Sequence, residues 1–461
     1  MPRSCSSFSD PVHHFPACRL IPFAGQSGPS MRKKPAPLNE APLGVSRESR
    51  SWPVEMPAQR TTRIALTHFG SRKVNMTIPR QFPRLAAALL LSLAACNAQP
   101  EDSSQSSTTA DLLASNTWSS AGSMNIRRSG ADATLLPSGD VLVTGGRTTN
   151  PPTYTSATEI YYPATNSWSP DAPLAQAREF TTATLLPSGK VLVTGGLSIS
   201  GGVTNRFSSV EVYDPATRSW SSAAPMANAR SLHTATLLSS GKVLVAGGNG
   251  SPSYLASAEL YDPATNSWSP AGTMINARAR HTATLLSSGK VLVAAGFDQA
   301  SAYSASAELY DPATNSWSPA GTMVRPRIAH DATLLPSGKV LVTGGFYGVS
   351  STPVYVSIAE VYEPAINTWY SVAPMPTGRA SHTATLLSSG KVLVAGGNNA
   401  SAYLSSAVMY EPATNSWTAV ASLPAARAGH TATLLSSGQV LVSGGYQSAS
   451  AMLSSSVLYT P

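Results

Sequence analysis

Residues 281–323 read HTATLLSSGKVLVAAGFDQASAYSASAELYDPATNSWSPAGTM, and this stretch decides the fold. It holds four strand-like runs: HTATLL, KVLVAAG, SAELY and NSWSPAG. Ser-Ser-Gly parts the first two and Asp-Pro-Ala-Thr-Asn the last two, both turn-forming compositions. The stretch therefore predicts a small antiparallel sheet of four strands, here lettered a to d.

Working outward, the same pattern recurs from about residue 116 to the end. Trp118, Trp168, Trp220, Trp268, Trp317, Trp369 and Trp417 stand 48 to 52 residues apart. A glycine follows each by 28 residues, at Gly146, Gly196, Gly248, Gly296, Gly345, Gly397 and Gly445. Six of these are preceded by another glycine, and Ala295 is the exception. One four-stranded sheet cannot bury both its faces, but sheets stacked in a ring can, leaving only short protected edges.

A period near 50 with four strands, a glycine pair, then Tyr and Trp seven apart resembles the Kelch motif. Tyr161/Trp168, Tyr213/Trp220, Tyr261/Trp268, Tyr310/Trp317, Tyr362/Trp369 and Tyr410/Trp417 carry the resemblance across residues 116–461. It implies an all-β chain folded as a β-propeller, one Kelch-type blade per repeat with strand a innermost. The region begins with a d-like run, SNTWSSAGSM (115–124), and ends with a c-like run, VLYTP (457–461). Seven blades result, the ring closed by an N-terminal outer strand, which removes an open edge.

The a–b and c–d turns share one face of such a ring and scarcely vary. All length variation lies in the b–c loops, on the face they share with the d–a junctions. Variable loops on a rigid scaffold are where binding is expected.

Three residue series mark that face. Arg128, Arg178, Arg230, Arg278, Arg327, Arg379 and Arg427 stand ten residues after each Trp. At the channel mouth they would grip a carboxylate, sulfate or phosphate; alternatively each pairs with a glutamate such as Glu211, Glu259, Glu308 or Glu360. Three residues further on come His233, His281, His330, His382 and His430, with Ala131 and Thr181 at the matching places in the first two repeats. Imidazoles suit a metal, but no carboxylate set with ligand spacing adjoins them, so hydrogen-bonded packing is the expected role. Tyr154, Phe207, Tyr254, Tyr303, Tyr355 and Tyr403, with Asn249 among the polar residues around them, form an aromatic series before strand c. Such rings stack on sugars or pack at sheet rims.

Composition divides the chain. The 461 residues carry 31 Lys+Arg against 23 Asp+Glu, a formal charge of +8, with 34 Gly and 36 Pro. Residues 1–96 hold 13 of the basic and 4 of the acidic residues, so the remainder is close to neutral. No basic stripe remains to suit nucleic acid. Cys5, Cys18 and Cys96 all precede the repeats, which can form no disulfide and no Cys-based metal site.

Met76 opens MTIPRQFPRLAAALLLSLAACNAQP, with Arg80 and Arg84 before the apolar run Leu85 to Ala95. That run is too short to span a bilayer and suits a signal peptide over 76–95. Leu93-Ala94-Ala95-Cys96 resembles the lipobox of bacterial lipoproteins, which implies lipidation of Cys96. By the same resemblance Asn97 directs the protein to the outer membrane or cell surface; ordinary secretion is the alternative. Residues 1–75 are expected to be an unstructured or mis-assigned extension, with translation beginning at Met76. Residues 96–115 are a polar, Ser/Thr-rich tether.

These features predict a monomeric, lipid-anchored binding scaffold presenting its loops to a protein or glycan, with no cofactor, no metal and no catalytic residue. Copper-radical oxidases resembling galactose oxidase use a Cys–Tyr thioether, which repeats without Cys cannot form. An enzyme acting on a sugar or sugar acid at the channel, epimerase- or hydrolase-like, is the alternative.

Overall fold

A computed structural model describes residues 115–149, 153–298, 302–349 and 352–461. The expectations for the extension, the signal peptide, Cys96 and nearly all of the tether lie outside the described residues. Every regular element described is a β-strand.

Seven antiparallel four-stranded sheets form the ring, blade 5 carrying one further strand. Their inner strands a are Asp132–Leu135, Thr182–Leu185, Thr234–Leu237, Thr282–Leu285, Ile328–Leu334, Thr383–Leu386 and Thr431–Leu434, which number blades 1 to 7. Each packs against the strand a of both neighbours, so together they wall a central channel. In blade 4, strand a is followed by b (Val291–Ala294), c (Ser306–Asp311) and d (Ser316–Thr322). The register runs Leu285↔Val291↔Tyr310↔Trp317. Blade 7 takes its strand d from the N-terminal side: Thr117–Ser123 pairs with Ser455–Thr460, setting Trp118 opposite Tyr459.

The run KVLV reads as continuously apolar because strand b is covered on both faces by neighbouring blades. All four residues of strand b in blade 4 are buried. Leu244 and Ala246 of blade 3 join Val291, Val293 and Tyr310 of blade 4 in one core cluster, so the core lies between blades.

At the rim the Tyr–Trp pair fastens neighbours. Tyr310 and Trp317 lie 5.1 Å apart, and the Trp317 indole donates to the Ala271 carbonyl of the preceding blade (2.8 Å). The Tyr310 hydroxyl donates to Asn315, which closes the c–d turn with φ +52°. Asn tolerates that left-handed conformation, which accounts for its recurrence at this turn. Blade 2 has Arg218 there instead, and Tyr213 turns to Asp171 (2.5 Å), which also holds Arg218 (3.2 Å).

The glycine pair marks the closest approach of two blades. A Cβ on Gly247 would stand 2.5 Å from the Arg278 carbonyl and 2.8 Å from His281 Cε1, both of the next blade. One on Gly248 would meet the Cβ of His233 in its own blade at 2.8 Å. Both glycines have positive φ.

The variable connections are more regular than loops in two blades. In blade 2 the b–c connection forms a hairpin, Leu197–Ser200 with Val203–Arg206. In blade 5 strand b extends over Val340–Val349 and pairs with Thr352–Tyr355.

Candidate functional site

Channel and loops share the face where strands a begin. Each recurrent arginine sits on the d–a crossover, just before the next blade's inner strand. The Arg278 guanidinium donates to the Ala295 carbonyl (3.0 Å), the Ser306 carbonyl (3.0 Å) and Glu308 (2.5 Å). Glu308 in turn accepts the backbone N–H groups of Ile275 and Asn276. The pair thus rivets the crossover onto strand c of the blade it enters.

Arg128, Arg178, Arg230 and Arg327 make the same bond to Glu159, Glu211, Glu259 and Glu360. All seven arginines are at most 1% exposed. The picture of a ring gripping an anion at the channel mouth is therefore corrected: the guanidinium groups point into the blades. Buried charge requires close partners, and blade carbonyls and carboxylates supply them.

Arg379 and Arg427 have no carboxylate partner among the described residues, because Val408 and Val457 stand where the other blades have Glu. They keep the carbonyl and hydroxyl of Ser406 and Ser455 respectively. Burial lowers both to about 10. The crossover residue whose N–H would have bonded that Glu is Pro376 or Pro424 in these two blades. Losing the acceptor and losing that donor go together.

The histidines line the channel and join blades. His281 Nε2 lies 3.0 Å from Thr234 Oγ1, His330 3.1 Å from Thr282, and His430 3.0 Å from Thr383. His233 and His382 meet Thr194 and Thr343 in the same way. Burial, reinforced by the neighbouring arginine, holds His233, His330 and His430 down at about 3. His281 and His382 are likewise held well below the ordinary value. These imidazoles are neutral. Among the described residues no group of three or more His, Cys, Asp or Glu is placed to hold a metal ion.

The ring of imidazoles is broken at blades 1 and 2, where Ala131 and Thr181 occupy the matching places. Thr181 donates to Asp132, an acid standing where five blades have Thr, so that pair replaces the Thr–His bond. Asp132 and Glu179 face a cavity of about 320 Å³ at this end of the channel, together with Phe180, Arg280, Tyr446 and the five histidines. Burial pushes both carboxyls up to about 7, Asp132 against the pull of the Thr181 hydroxyl and Glu179 against Arg147 and Arg280. Arg147 lies 3.8 Å from Glu179 and over the Tyr446 ring; Arg280 lies over Phe180. Asp331, the other acid on a strand a, accepts the N–H groups of Ala332 and Ala384 and is raised to about 6, mainly by burial.

Sequence reasoning passed over Asp132, Glu179, Phe180 and Arg280. Their signal was departure from the repeat. Where Glu179 stands the other repeats have Ser, Ala or Ile, and Arg280 is the only charged residue at its repeat position.

The aromatic series lies outside this mouth, on the loops. Tyr254, Tyr303, Tyr355 and Tyr403 are half-buried, each bridging the residue after its blade's Gly-Gly or Ala-Gly. Tyr254, Phe297, Tyr303, Phe346 and Tyr355 form a run of ring contacts across blades 3 to 5, with spacings from 4.9 to 6.1 Å. Asn249 is only 7% exposed and, with its amide oriented to suit its neighbours, accepts from Arg206 and donates to the Gly250 carbonyl.

The KLHDC2/KLHL20/DRC7 Kelch-repeats domain matches residues 232–445, and the Kelch motif matches residues 187–227. The chain is a seven-bladed β-propeller with Kelch repeats over residues 187–445. Among solved structures this propeller is similar to a novel fungal alcohol oxidase of the AA5 family, described in complex with copper. The likeness has a TM-score of 0.60 at 20% identity and covers 75% of this chain and 76% of that one. It is also similar to YjhT, with a TM-score of 0.50 at 16% identity over 65% of this chain and 99% of that one. At such identities the likeness shows the fold alone. No curated protein matches the chain. Among the described residues no group of three or more His, Cys, Asp or Glu is placed to hold a copper ion, and the repeats carry no Cys.

Proposed function

We propose that this Kelch propeller is a binding scaffold whose loop face holds a glycan or protein ligand. One observation carries the reading: the repeats are nearly uniform on the a–b and c–d face, and their departures gather on the other. There lie the two hairpins of blades 2 and 5, the aromatic run and the broken imidazole ring. Concave sites with a few convergent polar groups are the usual seats of ligands. The lipobox at Cys96 supports an anchored protein at the outside of a bacterial envelope, the Ser/Thr-rich tether carrying the propeller clear of the membrane.

A glycan array together with capture of envelope components tests this. Binding that falls on Tyr254→Ala or Tyr303→Ala supports the loop face; binding untouched by both moves the site elsewhere. A second reading, turnover of a sugar or sugar acid in the channel, is favoured by Asp132 and Glu179, two acids held near neutrality. Sugar-acid conversion that disappears in Glu179→Gln would establish it.

A further inference from the structure

Five blades place an imidazole on the channel wall, and blades 1 and 2 leave the wall open at Ala131 and Thr181. Behind that opening stands Asp132, which forms no ion pair among the described residues and accepts a hydrogen bond from the Thr181 hydroxyl. Beside it Glu179 is only 3% exposed, and its Oε2 receives no hydrogen bond. That oxygen lies 3.3 Å from where a Cβ on Gly130 would sit, at the channel mouth. Arg147 and Arg280 act on Glu179, so the uncompensated acid is Asp132.

The geometry points to an amino sugar as the ligand of this gap, its ammonium on Asp132 and a neighbouring hydroxyl on Glu179 Oε2. An ammonium supplies the counter-charge that a buried Asp132 carboxylate requires, in a charge-assisted hydrogen bond. The cavity of about 320 Å³ lies at the lower end of the range for small-ligand sites and suits a single ring. Thr181 and Ser381 on its wall offer hydroxyls, which serve a polyol better than the aliphatic stem of a lysine.

This inference rests on the loop face being the binding face, and its test separates the two. Titration calorimetry on the full chain would compare the β-1,4 glucosamine trimer, the N-acetylglucosamine trimer and cadaverine. The glucosamine trimer should bind at least tenfold more tightly than either of the others. Asp132→Asn, which keeps shape and size, should lose at least tenfold of that affinity with an undiminished melting temperature. Ala131→His is a second variant. The seat for its ring exists already, with Gly444 leaving room and Thr431 placed as Thr383 is for His430. It should fold at least as stably and block the trimer.

Absent glucosamine binding, equal binding of the acetylated trimer, or full affinity in Asp132→Asn overturns the inference. Cadaverine binding as tightly as the trimer overturns the sugar. If neutral glycans bind and are lost on Tyr254→Ala, the loop-face reading stands and only the amino-sugar assignment falls.

Discussion

Thr234 Oγ1 and His281 Nε2 face each other at 3.0 Å across the boundary between blades 3 and 4. Burial keeps that ring neutral, and the cost of charging it there ties the cohesion of neighbouring blades to the protonation of their histidines.

Stability should fall in mild acid. The unfolded chain takes up protons on histidine below about 6.5, while folded His233, His330 and His430 resist to about 3 and His281 and His382 are likewise held well below the ordinary value. Their contribution is complete above the unfolded value and is lost as pH drops through this window. Asp132, Glu179 and Asp331 act oppositely: their folded values are raised, so stability declines as pH rises from about 4 toward 7. Five imidazoles outweigh three carboxyls, and the melting temperature should drop below pH 6. Replacing His281 and His430 by Gln should flatten the profile; an unchanged slope would sink this account.

Glu259 and Ala227 should couple. Glu259 accepts the Ala227 N–H (2.8 Å) and Arg230 (2.6 Å), so Glu259→Val leaves a buried charge and an orphaned donor. A loss of about 3–5 kcal/mol is expected for breaking such a pair. Blades 6 and 7 carry Val and Pro together, so adding Ala227→Pro to Glu259→Val should restore part of the loss. In the parent chain Ala227→Pro alone should destabilise. Chemical denaturation of the double-mutant cycle measures the coupling, and strict additivity would refute it.

Ala295→Gly should stabilise the propeller. Ala295 has φ +63° in the place where six blades have glycine. An L-residue held there costs about 1–2 kcal/mol. Relief should raise the melting temperature, whereas Gly247→Ala should lower it by forcing a Cβ against the Arg278 carbonyl and the His281 ring.

Closure of the ring can be tested directly. Trp118 lies against Tyr459, with tilted rings 5.0 Å apart, and donates to the Ala421 carbonyl of blade 6 (2.7 Å). Deleting residues 112–122 would leave blade 7 with a bare edge strand. The melting temperature should fall sharply, with aggregation as a second sign; an unaltered melting curve would contradict the closure.

The amino-acid sequence by itself determined the number of blades, their strands and the closure. Each rests on period and on local chemistry: glycine where two blades touch, Asn where the c–d turn is left-handed, an unbroken apolar run where both faces of a strand are covered. It also separated the near-neutral repeats from the basic residues 1–96, which leaves the overall charge of +8 without bearing on the propeller.

Only the tertiary structure decided where the recurrent side chains point. Arg278 and Arg280 are two residues apart, yet one is sealed in its blade against Glu308 and the other lies over Phe180, two blades away. Spacing along the chain cannot tell them apart, because the direction of each depends on the crossover geometry and on partners about 30 and 100 residues distant. For the same reason the imidazoles, conspicuous in sequence, proved to be fasteners between blades. The candidate site emerged where Ala131, Asp132, Glu179 and Thr181 depart from the repeat, since a gap in a ring exists only once the ring is closed.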